Sequence, residues 1–125
     1  MNPRIQFELC DGYACFRAAG EVTFNEAVGI VGNAISDAAG RDIQRLLVDT
    51  TNLRGFPHPT TSERFFMAEQ WASRARGLRL SVVARPELID PLRFGVMVAR
   101  NRGLFAQVFD SESDAIAWLL HPNPD

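Results

Sequence analysis

Three short apolar runs, at residues 46–49, 80–84 and 106–109, are separated from one another by stretches that carry helix signals. Strands spaced by helices cannot pair through tight turns. They run parallel, joined by right-handed crossovers, and the intervening helices pack on the sheet. This alternation places the chain in the α/β class. The first run leads from Leu46, Leu47 and Val48 to Asp49, where the strand is expected to meet its loop. That loop holds Gly55, Pro57 and Pro59. A helix start follows at Thr60, Thr61 and Ser62 with Glu63, whose hydroxyls can cap free backbone N–H groups. In open α/β sheets ligands gather outside the carboxyl ends of strands, near helix N-termini, so a site is expected here.

Ahead of this alternation lies a hairpin. Ile5, Phe7 and Leu9 alternate with polar neighbours, and Asp11-Gly12 is a two-residue turn signal. Such a turn pairs Cys10 with Tyr13, Leu9 with Ala14, Glu8 with Cys15 and Phe7 with Phe16. Phe7, Leu9, Ala14 and Phe16 then face the core, while Cys10 and Cys15 share the other face without opposing each other, as free thiols. Thr23-Phe24-Asn25-Glu26 reads as a capping box. The helix it starts runs to about residue 39, with Gly40 as its stop and Val28, Val31, Ala34, Ile35 and Ala38 on one stripe. Gly29 and Gly32 allow it a close approach to the sheet. A second helix spans about 61–75, ended by Gly77. A third is capped by Asp90, with Pro91 in its first turn, and runs to Asn101. Ser111-Glu112-Ser113-Asp114 opens the last helix, and residues 121–125 are a frayed tail. The reading is one domain with its core at about 5–120, ordered β-β-α-β-α-β-α-β-α. It is a mixed five-stranded sheet with helices mainly on one face. Gln6, Glu8, Arg17, Arg45, Arg79, Ser81 and Gln107 fall in or beside strands, as expected for a sheet with a less covered face.

Composition narrows the function classes. A net charge of −2 and a pI near 5.7 do not suit nucleic acid as the main partner. No stretch has the length of a membrane span or the pattern of a signal peptide, so a cytoplasmic protein is expected. His58, between two prolines, would need an orienting partner and a nucleophile to act as a base, with Asp49 and Thr60 nearest in sequence. It reads as an exposed loop histidine. His58, Asp49 and His121 are too few and too scattered for a metal, and no cofactor is implied. The segment from Asp49 through Thr51 reads as a loop bonding its own backbone, with a polar ligand site as the alternative. Arg85 either faces the same rim or pairs with Glu87 or Asp90.

The second and third helices carry more apolar residues than one stripe needs. On the second, Phe65, Ala68, Ala72 and Ala75 suffice for the core, leaving Phe66, Met67 and Trp71. On the third, Leu92, Val96 and Ala99 suffice, leaving Phe94, Met97 and Val98. The excess either packs between the helices, together with Phe56 of the loop, or forms an apolar cleft or a self-association surface. At least two of these six are expected to stay partly exposed, with Trp71 as the anchor.

Taken together, these segments resemble the STAS domain, and within it the bacterial SpoIIAA-like group. The resemblance rests on the hairpin, on Leu46-Leu47-Val48-Asp49 as central strand and on Leu80-Ser81-Val82-Val83-Ala84 as the next. It rests also on the ending, Val108-Phe109-Asp110-Ser111-Glu112 followed by Ala115-Ile116-Ala117-Trp118-Leu119. STAS antagonists carry Asp-Ser-Ser-Gly at the helix after the central strand, where the Ser accepts phosphate. This chain has Gly55-Phe56-Pro57-His58-Pro59-Thr60-Thr61-Ser62 instead. Thr60, Thr61 and Ser62 are therefore expected to act as caps. The resemblance implies a non-enzymatic module that binds a small apolar or amphipathic ligand, or a protein partner, at the edge of helices two and three. A homodimer is one form this takes. The alternative is a partner switch phosphorylated at the start of helix two.

Overall fold

The computed structural model describes residues 3–75, 77–90 and 92–121. Pro91, the tail residues 122–125 and the side chain of Phe94 lie outside that description. The elements are β1 (Arg4–Leu9), β2 (Ala14–Glu21), α1 (Phe24–Gly40), β3 (Arg45–Arg54), α2 (Thr61–Ala75), β4 (Arg79–Val83), a 3-10 turn at Pro86–Leu88, α3 (Phe94–Asn101), β5 (Phe105–Phe109) and α4 (Glu112–Leu119). The five strands lie in the order β1-β2-β3-β4-β5, with β1 antiparallel to β2 and every other pair parallel. Gly12 takes φ +85 in the hairpin turn, and the Cys10 N–H donates to the Tyr13 carbonyl at 2.8 Å.

Strand order explains the layering. The connections from β2 to β5 all step the same way across the sheet. Crossovers of one hand then put α1, α2 and α3 on the same face. The main core lies there, with Phe16, Val31, Ile35, Leu46, Val48, Trp71 and Leu80 inside it. Among the described residues no strand follows β5, and α4 folds onto the opposite face over Cys15, Leu47 and Val83. In the strand register Gln6 pairs with Arg17, Glu8 with Cys15, Arg45 with Arg79, and Ser81 with Gln107. The polar strand residues therefore share the α4 face, which that helix covers only in part.

Several local expectations are corrected. β3 continues to Arg54 instead of ending at Asp49. Arg17 pairs with Asp49, but Ala19 pairs with Asn52, so a bulge adds a residue to β3 near Thr50 and Thr51. Leu9, expected in the core, is 71% exposed, at the end of the edge strand β1, whereas Phe7 of the same strand packs against the core. Gly40 is the last residue of α1, and the left-handed turn beyond it is taken by Asp42 at φ +59. Gly32 faces α2: a Cβ there would lie 3.1 Å from the Arg74 guanidinium, whereas Gly29 meets nothing within 4 Å. The third helix starts at Phe94. Asp90 does not cap it but accepts from the Leu92 N–H at 3.2 Å, and Arg93 holds the N-cap position at φ +53.

Candidate functional site

The late start of α3 leaves part of the helical face of the sheet under irregular chain. Small side chains beneath it, Ala68, Ala84, Ala99 and Ala106, do not fill the space. The result is a cavity of about 130 Å³ between α1, α2, α3 and the sheet. Its walls are mainly apolar: Val28 and Val31 from α1, Met67 and Trp71 from α2, Leu80 and Val82 from β4, with Phe24, Phe56, Leu88 and Ile89 closing the loop side. Phe24 and Phe56 meet edge to face, with ring centroids 6.1 Å apart. The polar residues in the walls are Thr50, Arg64, Asp90 and Arg93. The Thr50 hydroxyl donates to the Val83 carbonyl at 2.9 Å, and Arg93 donates from Nη1 to the Val108 carbonyl at 2.6 Å.

Trp71, expected as an exposed anchor, is only 8% exposed. Its Nε1–H donates to the Val28 carbonyl at 3.1 Å, which ties α2 to α1. The inward stripe of α2 runs through Arg64, Met67, Ala68, Trp71 and Ala75; of the expected Phe65, Ala68, Ala72 and Ala75, the three alanines pack in or against the core and Phe65 does not. Phe65 is exposed, with the Arg102 guanidinium 5.2 Å from its ring centre. Phe56, Met67 and Trp71 all line the cavity. Phe66 (47% exposed) and Met97 (59% exposed) point outward, and Val98 is buried. Phe94 belongs to the same set of expectations, and its side chain lies outside the described residues.

The remaining expected residues do not join the cavity. His58 is exposed in the loop between β3 and α2. Arg85 lies 3.6 Å from Glu87 and donates from Nη2 to the Leu53 carbonyl at 3.5 Å. Of the three hydroxyls at the start of α2, Thr60 makes the cap: its Oγ1 accepts from the Glu63 N–H at 3.1 Å, and Glu63 returns the bond to the Thr60 N–H at 2.8 Å. Thr61 and Ser62 are exposed.

Asp49 and Thr51 lie on the α4 face, in a charged cluster that the sequence did not suggest. Arg17 forks onto Glu112 at 2.9 and 2.8 Å and reaches Glu8 at 3.3 Å. Asp49 accepts the N–H and hydroxyl of Thr51 at 2.9 and 2.6 Å. Burial, and then a hydrogen bond shared with Glu112, raise the Asp49 pKa. The Arg17 fork, helped by Asp49, lowers Glu112 to about 2. One acid thus sits above its ordinary range and its neighbour below. Burial under α4 pushes the nearby Cys15 thiol up to about 11.

No protein-family model matches the chain, and no curated protein matches it in sequence. Among solved structures, an anti-sigma factor antagonist from Mycobacterium paratuberculosis superposes with a TM-score of 0.63, over 96% of this chain and 96% of that one, at 15% identity. The fold is SpoIIAA-like, that of the STAS domains. An uncharacterised protein with a SpoIIAA-like fold from Shewanella loihica aligns over 94% of this chain and 93% of its own, with 19% identity and a TM-score of 0.48. In this STAS-like fold the helix after the central strand is α2, which lines the cavity with Arg64, Met67, Ala68 and Trp71. Among the described residues, no helix is long and apolar enough to cross a membrane.

Proposed function

We propose that the chain is a non-enzymatic, cytoplasmic binding module that holds a small apolar or amphipathic ligand in the cavity between α1, α2, α3 and the sheet. The observation that carries this reading is the cavity itself: about 130 Å³ of space walled mainly by apolar side chains, beside a few polar ones. The charged groups on the other face do not amount to a catalytic set, since Arg17 is committed to Glu112 and Asp49 to Thr51. The test is a thermal-shift and tryptophan-fluorescence screen with small apolar compounds, on the wild type and on Ala106→Leu. Ligands should raise the melting temperature of the wild type and perturb the emission of Trp71. Ala106→Leu should fill the space, keep or raise stability without ligand, and abolish the shift. A strongly destabilised Ala106→Leu, together with no ligand effect on the wild type, would refute the reading.

A second reading, a protein partner or a second copy of the chain, is favoured by the exposure of Phe66 and Met97 on the outer side of α2 and α3. The similar structure from Mycobacterium paratuberculosis is an anti-sigma factor antagonist, a kind of protein defined by a protein partner. Sedimentation of Phe66→Glu and Met97→Glu against wild type tests this surface. Association that is unchanged in both variants would exclude it. For a phosphorylated switch the available acceptors are Thr61 and Ser62, since the Thr60 hydroxyl is engaged as the cap.

A further inference from the structure

The inference that follows rests on the cavity being a ligand site and concerns what enters it. Two features of the walls restrict the ligand: size and charge. About 130 Å³ is close to the roughly 150 Å³ of an engineered apolar cavity that takes up benzene. A long acyl chain is too large to be enclosed in it. Aromatic walls from Phe24, Phe56 and Trp71 suit a flat ring.

The charge comes from α2. Arg64 precedes Met67, Ala68 and Trp71 by three, four and seven residues, the spacing of one helix stripe, so it continues the buried face of α2 into the cavity wall. It is half-buried, and among the described residues no hydrogen bond or ion pair engages its guanidinium. The other charges in the walls are Arg93, which already donates to the Val108 carbonyl, and Asp90. Two cations and one anion leave a single positive charge, and Arg64 is the cation with no bond to satisfy it. A carboxylate matches its fork.

We propose that the cavity binds a small ring-bearing monocarboxylate, with the ring among Phe56, Met67 and Trp71 and the carboxylate on Arg64. The probes are phenylacetate, its neutral isostere phenylacetamide, and palmitate, titrated by calorimetry into the wild type, Arg64→Gln and Arg93→Gln. Circular dichroism checks that each variant keeps its fold. Phenylacetate should bind the wild type about tenfold more tightly than phenylacetamide, the scale of a hydrogen bond to a charged group. Arg64→Gln should remove that preference and leave phenylacetamide binding unchanged, while Arg93→Gln keeps it. Equal binding of the two ring compounds to wild type overturns the carboxylate assignment and leaves the cavity reading standing. A preference lost in Arg93→Gln but kept in Arg64→Gln overturns it as well. Palmitate binding more tightly than phenylacetate overturns the size argument. Failure of both ring compounds to bind the wild type overturns this inference, while the thermal-shift screen decides the cavity reading separately.

Discussion

Trp71 serves two purposes at once. Its ring is a wall of the cavity, and its Nε1–H holds the Val28 carbonyl of α1. Trp71→Phe keeps much of the ring but leaves that carbonyl without its side-chain donor, and we expect a loss of about 1–3 kcal/mol in chemical denaturation. The charged cluster on the other face predicts a pH dependence. Glu112 has a folded pKa of about 2, below its ordinary 4.5, so the stability it contributes is fully present above pH 4.5 and is lost as pH falls through 2. Arg17→Gln removes the fork. It should cost about 1 kcal/mol at pH 7, a modest figure because Arg17 is more than a third exposed, and the difference from wild type should shrink as pH falls toward 2. Asp49 has the opposite sign. Its raised pKa means that its ionised form is disfavoured in the fold, so Asp49→Asn should be at least as stable as wild type at pH 7. Arg64 was legible but missed. Reading Trp71 as surplus moved the expected stripe of α2 by about one position, and with Trp71 taken as core the spacing leads back to Arg64.

Among the elements, the first two helices were readable because their caps are local. Thr23 with Glu26 and Thr60 with Glu63 form the reciprocal bonds that their four-residue patterns imply. Thr60→Ala should cost about 0.5–2 kcal/mol by thermal denaturation, while Thr61→Ala and Ser62→Ala should stay within about 0.5 kcal/mol. The end of β3 was not readable, because Asp49 to Asn52 has the composition of a turn. What keeps it extended is the partner strand: Ala19, Gly20 and Glu21 of β2 pair with Asn52, Leu53 and Arg54 after the bulge. This non-local pairing overrides local preference. Asp90-Pro91 misled in the same way. The Asp side chain satisfies the Leu92 N–H in a turn, and α3 begins only after Arg93.

For the whole molecule, the cavity follows from helices crossing the sheet in one direction above alanine-rich positions. The residues expected to form one site near the carboxyl end of β3 divide between the two faces of the sheet. Its loop residues Asp49, Thr51 and His58 turned out to lie elsewhere, because the bulge and the alternation of β3 send neighbouring side chains to opposite faces. A ligand that occupies the cavity only in the folded state should stabilise the domain by about 2.7 kcal/mol when present at roughly one hundred times its dissociation constant, and the melting temperature should rise by several degrees.

The fourth helix is attached differently from the other three. It lies on the opposite face of the sheet and is held near its ends by arginines, Arg17 on Glu112 and Arg79 on the Trp118 carbonyl at 2.6 Å, with the Arg79 guanidinium 4.0 Å from the centre of the Trp118 ring. Its Ala115 and Leu119 pack on Cys15, Leu47 and Val83 in a small cluster of their own, so α4 can lift without disturbing the larger core, and its amides should exchange with solvent sooner than those of β3 and β4. Cys15 lies beneath it, 2% exposed, with its thiol pushed up to about 11. Such a thiol reacts only when its cover is off. In a Cys10→Ser background the rate at which Cys15 consumes a disulfide reagent therefore counts the openings of α4, and Arg17→Gln should raise that rate while leaving amide exchange in β4 at its former pace.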